Sequence, residues 1–281
     1  MRRRNMTKRI HATAVVADSA EIADDVIIGP YAVVEPEVII SRGCRIIAGA
    51  IIRRYTIMGE NNIVHPYTVL GGEPQDYKFD PEEKTYLRIG SDNIFREYVT
   101  ISRATTAGGA TVIGNGCYFM TQSHVGHDSI IGDRVVLTNN AAIAGHCEVG
   151  DGAVFSGNTL LHQFCWFGEL SMIRGTKAVS QHVPPFVMVM GNNYIAGLNI
   201  VGLRRADYID QTDIEQIKEA YRLLYRSSLS LDEALKEMDA HTEWKAPAAR
   251  FREFVRRVLT AQPPYNRGLV TARETMRPEE D

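Results

Sequence analysis

The sequence has little of what would take a chain into a membrane or onto nucleic acid. No apolar run approaches the roughly 18 residues of a membrane-spanning helix. The basic start MRRRNMTKRIHATAVVADSAE carries only Ala14, Val15, Val16 and Ala17 before Asp18. A secretory leader needs an apolar core of about 7–15 residues, so none is expected, and Met6 is a second candidate start. Charge of one sign is also lacking: 31 Lys plus Arg stand against 34 Asp plus Glu, for a formal charge of -3. Without a basic stripe, a dedicated nucleic-acid binder is excluded. There are four cysteines and no CxxC pair, so neither a zinc knuckle nor a disulfide framework is indicated. Missing export signals and unpaired thiols together lead to an expected cytoplasmic location. What remains is ordinary for a globular protein: 44% hydrophobic and 23% charged residues over 281 positions, room for one or two domains.

What is abundant is a period of six. Every sixth residue from Ile10 to Leu70 is aliphatic or Met, through Val16, Ile22, Ile28, Val34, Ile40, Ile46, Ile52, Met58 and Val64. The frame returns at Ile89, Phe95 and Ile101, then runs unbroken from Ile113 to Val179. Helices repeat at 3.6 residues and plain strands at 2, so neither predicts this period. The slot four residues later is mostly small: Ala14, Ala20, Ala32, Cys44 and Ala50, then Cys117, Ser123, Ala141, Cys147 and Cys165. One large and one small inward residue per hexad fits a narrow triangular prism, three hexads to a coil of 18 residues, a β-helix signature. All four cysteines fall in the small slot, where free thiols behave as small buried hydrophobes.

Two insertions break the frame, at 71–88 and at 105–111. Loops on a rigid repeat are where function concentrates. The frame stops near Pro184 and Pro185, and helical signals follow. Thr212 with Glu215, and Ser230 with Glu233, fit capping boxes. Ile214, Ile217, Tyr221, Leu224 and Tyr225 form one apolar stripe; Phe251, Phe254, Val255, Val258 and Leu259 form another, with Pro247 near its start. The expected layout is an extension at 1–9, a coil at 10–190, a helical domain at 191–261 and a tail without periodicity at 262–281.

The histidines stand outside the inward slots. His127, His146 and His162 are spaced by 19 and 16 residues. Spacings near one coil predict a ladder on one flank, since coils stack at about 4.8 Å. Asp128 follows His127 at a corner, where neighbouring side chains can converge and a carboxylate can orient an imidazole for general-base work.

The runs Gly72 to Lys78 (GEPQDYK), Gly126 to Asp128 (GHD), Ala144 to His146 (AGH), His162 to Cys165 (HQFC) and Val183 to Pro185 resemble, in order and spacing, the acyl-carrier-protein–UDP-N-acetylglucosamine O-acyltransferases of lipid A biosynthesis. The resemblance runs from about residue 10 to 260. It implies a mainly β fold, a left-handed parallel β-helix of hexapeptide repeats followed by a C-terminal α-helical domain. That hand departs from the usual right-handed crossover rule. It implies His127 as general base, Asp128 as its orienting partner and the Gly145 N–H as oxyanion donor. Asp76 and Lys78 would come from the inserted loop of a neighbouring subunit. His124, His146, His162, Gln163, Asn199 and Arg205 would line a nucleotide-sugar and pantetheine groove. Gly175, next to Arg174, would be the hydrocarbon ruler. The partners implied are acyl carrier protein, UDP-N-acetylglucosamine and two further copies in a homotrimer. No cofactor or metal is implied, because the donor rides on the carrier's phosphopantetheine.

Acyl carrier protein is acidic, so Arg250, Arg252, Arg256 and Arg257 offer a candidate docking face. The sequence departs from the family pattern at Ser102, Arg174, Asn193, Val201 and Ala206. Nucleotide contacts, acyl length and a 3-amino sugar in place of the 3-hydroxyl stay open. Alternatives are a sibling N-acyltransferase or acetyl-coenzyme-A user, a zinc hydratase built on interfacial histidines, and a non-catalytic scaffold.

Overall fold

Strands of two to four residues alternate with tight turns from Arg9 to Val179. The computed structural model describes residues 9–241 and 243–272. Pairing is parallel and steps by one coil: Arg9 lies beside Ile27, Val136 beside Val154 and Leu160 beside Ala178. Three sheets of twelve, nine and eight strands result, and consecutive strands pass from sheet to sheet. This is the parallel β-helix that the period of six predicts.

The second residue of each short strand points inward, which is the hexad position. Ile28, Ile46, Ile52, Met58, Leu137 and Ile173 are at most 1% exposed. Larger rings fill the interior, Phe119 stacking on Phe95 of the neighbouring coil at 5.0 Å and Phe155 meeting Phe167 of another sheet at 4.5 Å, tilted by 40°. Small residues close the corners between them. Cys44, Cys117, Cys147 and Cys165 are buried free thiols, and burial pushes Cys147 up to about 12 and Cys117 up to about 11. They are protonated packing groups at neutral pH. Ile10, at the open end, is 41% exposed.

The excursions are shorter than, or displaced from, the frame breaks. Strand Val69–Gly72 continues past Leu70 through a register shift, and strand Tyr86–Ile89 begins before Ile89. The first loop is therefore 73–85, not 71–88. The second lies at 103–109, between Thr100–Ser102 and Ala110–Ile113, not at 105–111.

Helix also starts later than 191. Strands Val187–Gly191 and Tyr194–Leu198 form an antiparallel hairpin that extends the twelve-stranded sheet. Asn193 sits in its turn at φ 60° and bonds Ser180 through its side chain, so this departure from the family pattern is a structural hairpin residue.

Four helices follow: α1 Ile200–Arg205, α2 Gln211–Tyr225, α3 Leu231–Ala240 and α4 Ala246–Leu259. The α2 capping box uses Asp210 and Asp213 rather than Thr212 and Glu215. Asp210 is the earlier acceptor and leaves Thr212 inside the first turn. Ser230 and Glu233 do cap α3, and Pro247 opens α4. Ile217, Phe251 and Val255 are fully buried, whereas Leu259 is 37% exposed at the helix end.

Residues 262–272 are a packed strap, not a loose tail. Thr271–Ala272 pairs with Tyr194–Ile195, Val270 is buried, and the Tyr225 hydroxyl donates to the Val270 carbonyl at 3.1 Å. Irregular docking contacts of this kind leave no periodicity to read. The expected extension up to residue 8, and the tail beyond 272, lie outside the described residues.

Candidate active site

His127 falls at the corner between strand His124–Val125 of the nine-stranded sheet and strand Ile130–Ile131 of the eight-stranded one. The corner turns through Asp128 in the left-handed region, at φ 57°. Such a residue is what a tight turn of this kind requires. The turn brings two neighbouring side chains together: His127 Nδ1 and Asp128 Oδ2 are 2.8 Å apart. Asp128 also accepts from the Thr105 N–H at 3.1 Å and its hydroxyl at 2.8 Å. The Thr111 hydroxyl in turn accepts from the Asp128 N–H at 2.8 Å. Burial raises the Asp128 carboxyl, but the bonds from His127 and Thr105 outweigh it and hold it below the usual carboxylate range. An ionised carboxylate only accepts, so the proton belongs on His127 Nδ1 and the free lone pair on Nε2.

The face of that ring lies against the next coil. A Cβ on Gly145 would lie 2.7 Å from His127 Cε1 and 2.9 Å from Nε2. Gly145 is therefore the residue that lets an imidazole lie against the backbone. Among the described residues its N–H has no acceptor, while its carbonyl accepts from the Phe164 N–H. Gly126 performs the matching service below, since a Cβ there would meet the Gly145 nitrogen at 2.6 Å. A cleft of about 280 Å³ opens here, lined by Gln75, Ser102, His124, His127, Gly145 and Gln163 among others. Burial lowers His124, whose Nδ1 is 2.8 Å from the Thr100 hydroxyl.

The three histidines do not form one ladder. His146 stands one coil above Asp128, not above His127, and meets the His127 ring edge-on at 5.1 Å. It stacks on Phe164, one coil higher, at 4.7 Å. Burial, partly offset by Asp128, lowers its pKa. His162 stands above Ala144 and is held by Arg267, whose guanidinium is 2.9 Å from its Nδ1. Spacings of 19 and 16 shift each ring to a different position of the turn. His127, Asp128 and His146 still bring one potential ligand atom each within 4.8 Å of the others, a set that could hold a zinc ion with an open position.

The inserted loop reaches this cleft in its own chain. Gln75 lines the cleft beside His127, and the Asp76 charge is felt at His146. Within one chain, then, Asp76 stands on the His146 side of this cleft. Lys78 is exposed, its N–H bonded to Asp76 Oδ1 at 2.9 Å. The loop is held by Arg103, which is 1% exposed. Arg103 lies over Tyr55 and Phe79 at 5.3 and 5.0 Å and donates to the Glu83 carbonyl at 3.1 Å.

Comparison with known proteins places this arrangement. A model of the second domain of UDP-N-acetylglucosamine O-acyltransferases matches residues 182–270, and one of bacterial transferase hexapeptides matches 110–145. The acyl-(acyl-carrier-protein)–UDP-N-acetylglucosamine O-acyltransferase of Campylobacter concisus is 41% identical over 237 residues, 84% of this chain and 90% of that protein. Its namesake in Herminiimonas arsenicoxydans is 36% identical over 93% of this chain and 98% of its own. The solved UDP-N-acetylglucosamine O-acyltransferase of Moraxella catarrhalis superposes with a TM-score of 0.86 at 36% identity, covering 93% of this chain and 99% of that one. That of Francisella novicida gives 0.87 at 32% identity, with 95% of each chain covered. The chain belongs to the acyl-(acyl-carrier-protein)–UDP-N-acetylglucosamine O-acyltransferase family.

Within this family fold, Asn199 and Arg205 lie apart from His127. They line a second cleft of about 890 Å³, together with Val201, Ala206 and Tyr208. Asn199 caps α1 and donates to the Leu170 carbonyl at 2.7 Å. Gly175 is at a different corner from His127, between the twelve- and nine-stranded sheets. It lies one coil above Gly157, whose carbonyl would be 3.2 Å from an added Cβ. Arg174 is exposed. Three coils separate Gly175 from Thr121 on the His127 coil, about 14 Å along the axis.

The Arg-rich stretch of α4 is not a free basic face. Arg250 pairs with Glu169 at 2.7 Å, Arg256 with Asp239 at 2.6 Å, and Arg257 grips both oxygens of Glu148. Arg252 lies 3.7 Å from Asp239. These acids cancel the field expected to attract an acidic carrier. Sequence reasoning missed Thr105 and Thr111 as partners of Asp128. It also missed Phe164, Tyr265 and Arg267. Coil stacking could have suggested Thr111, 17 residues before Asp128. Among the described residues no helix is long and apolar enough to cross a membrane.

Proposed function

We propose that the protein transfers a 3-hydroxyacyl chain from the phosphopantetheine of acyl carrier protein to the 3-hydroxyl of UDP-N-acetylglucosamine, the first step of lipid A biosynthesis. The observation that carries this reading is the His127 ring, bonded to ionised Asp128 through Nδ1 and lying face-on against Gly145 with Nε2 unbonded among the described residues. In that reading Nε2 takes the proton of the sugar 3-hydroxyl as its oxygen attacks the thioester carbon. The Gly145 N–H, aimed at the developing oxyanion, stabilises it. Collapse breaks the carbon–sulfur bond, and the thiolate takes the proton from Nε2. The products are the 3-O-acyl sugar nucleotide and the carrier thiol, so no cofactor is needed.

The working unit is a homotrimer. Outward residues of the twelve-stranded sheet form an apolar ladder of Ile63, Ile94, Tyr118, Val136, Val154 and Met172, a surface suited to a neighbouring copy. Asn199 and Arg205, remote from His127 in one protomer, serve the cleft of the next. The enzyme works in the cytoplasm, where acyl carrier protein supplies the donor.

The test is mass spectrometry of products from UDP-N-acetylglucosamine, its 3-amino analogue and donors of graded length, acetyl-coenzyme A included. Wild type should make the 3-O-acyl product with a chain of about fourteen carbons. Gly175→Met should favour shorter chains, since each buried methylene is worth about 0.8 kcal/mol. An unchanged preference in the variant removes Gly175 as the ruler, and acetyl transfer alone removes the reading. The His127, Asp128 and His146 cluster favours one rival, a zinc hydratase. One zinc per site, with activity lost on chelation, would establish it.

A further inference from the structure

The strap at 262–272 places a permanent cation against a histidine at the rim of the cleft. Arg267 Nη2 lies 2.9 Å from His162 Nδ1, while its Nε donates to the Ser180 carbonyl at 3.2 Å. The strap itself is anchored on both sides of Arg267. His182 Nε2 meets the Tyr265 carbonyl at 2.6 Å, and the His182 N–H donates to the Gly268 carbonyl at 2.7 Å. Tyr265 packs against Phe164 at 5.4 Å and Trp166 at 5.6 Å. Arg267 is therefore held in place by more than its bond to His162.

A guanidinium only donates and keeps its protons. His162 Nδ1 must then accept, which puts the ring proton on Nε2. A competing partner stands ready, since the Gln163 carbonyl is 3.2 Å from the same Nδ1. Without Arg267, an Nδ1–H could donate to that carbonyl, and Nε2 would become an acceptor. The tautomer matters because of where the ring stands. His162 lies one coil above Ala144 and two above Gly126, both of which line the His127 cleft, and it is flanked by cleft residues Leu160 and Gln163.

We propose that Arg267 is a positioning residue that locks His162 in its Nε2–H form, so that the cleft rim offers a hydrogen-bond donor to an acceptor oxygen of the bound substrate. The substrate part of this inference rests on the acyltransferase reading; the tautomer part does not.

Two measurements test it. Nitrogen-15 shifts of the His162 ring, assigned by loss of the signals in His162→Ala, should show Nε2 protonated and Nδ1 bare in the wild-type protein. In Arg267→Ala the pattern should move toward Nδ1–H, and Arg267→Lys, which keeps a donor without an acceptor, should restore it in part. For transfer, Arg267→Ala should lose about three- to tenfold in kcat/KM, the loss of one ordinary hydrogen bond. The same change in a His162→Ala background should cost nothing further. A strap that merely braces the fold would instead lower Tm and activity equally in both backgrounds, and that result would overturn the proposal. A wild-type ring protonated on Nδ1 would overturn it as well. The ring shifts need no turnover. A failed transfer assay with the predicted shifts intact would count against the acyltransferase reading while supporting the tautomer lock.

Discussion

A single methyl group at Gly145 should disable the site while leaving the coil standing. Gly145 is not among the glycines at positive φ, so an alanine can adopt its backbone. The strain lies in the side chain's nearest neighbour. The new carbon would sit 2.7, 2.9 and 3.1 Å from Cε1, Nε2 and Nδ1 of His127. Carbon–carbon contact is comfortable from about 3.5 Å, so the ring must retreat by roughly 0.8 Å. That movement strains the 2.8 Å bond to Asp128 and carries Nε2 away from the sugar hydroxyl. Misplacement by about 1 Å can cost on the order of 10²-fold in rate. Gly145→Ala should therefore show kcat reduced by about that factor in a steady-state assay with carrier thioester and UDP-N-acetylglucosamine. Its Tm should stay within a few degrees of wild type. A kcat near the wild-type value would refute the close approach of His127 to this backbone. A collapsed Tm would show that the methyl is resisted by the coil and not by the ring.

Two further outcomes follow from the same geometry. Because the 73–85 loop lies at the His127 cleft of its own chain while Asn199 and Arg205 line a remote cleft, mixing His127→Ala with Arg205→Ala subunits should restore activity, whereas mixing His127→Ala with Asp76→Ala should restore none, since every cleft then lacks one of the two side chains. Activity measured in purified mixed assemblies, against each parent, checks this; no recovery in the Arg205 mixture would contradict a shared site. His124, His146 and His182 are held below the ordinary histidine range, by burial foremost. The unfolded chain therefore takes up protons first as pH falls below about 6.5, so stability is complete above that pH and declines through the lower folded values. Asp128 adds a second loss below about 3.9 as its own lowered value is crossed. Tm followed downward from neutral pH should fall, and His146→Gln should flatten the first part of the slope; an unchanged slope would be the contrary result.

Much of this was legible because the coil writes one inward residue per hexad. Ile28, Ile46 and Leu137 could be placed in the core from spacing alone, and so could the four buried thiols. The His127–Asp128 pair was legible too, since both lie on one turn. What spacing could not give was anything depending on long reach or on a choice between near-equal partners. Asp210 outcompetes Thr212 as the α2 cap by standing two residues earlier. The arginines of α4 are neutralised by Glu148 and Glu169, far away in sequence. The strap docks through single aromatic and arginine contacts with no period. The histidine spacings, each close to one coil but not equal to it, hid a rotation around the corner that separates His162 from His127.

The central claim is that His127 removes the proton of the attacking hydroxyl. The most direct test is single-turnover transfer from 3-hydroxyacyl carrier protein to UDP-N-acetylglucosamine by His127→Ala, with sugar-nucleotide binding measured in parallel by calorimetry. The account predicts transfer slower by about 10²–10⁴-fold, the usual contribution of a general base, with binding and Tm close to wild type. Transfer at a near wild-type rate, or a loss explained entirely by weaker binding, would contradict it.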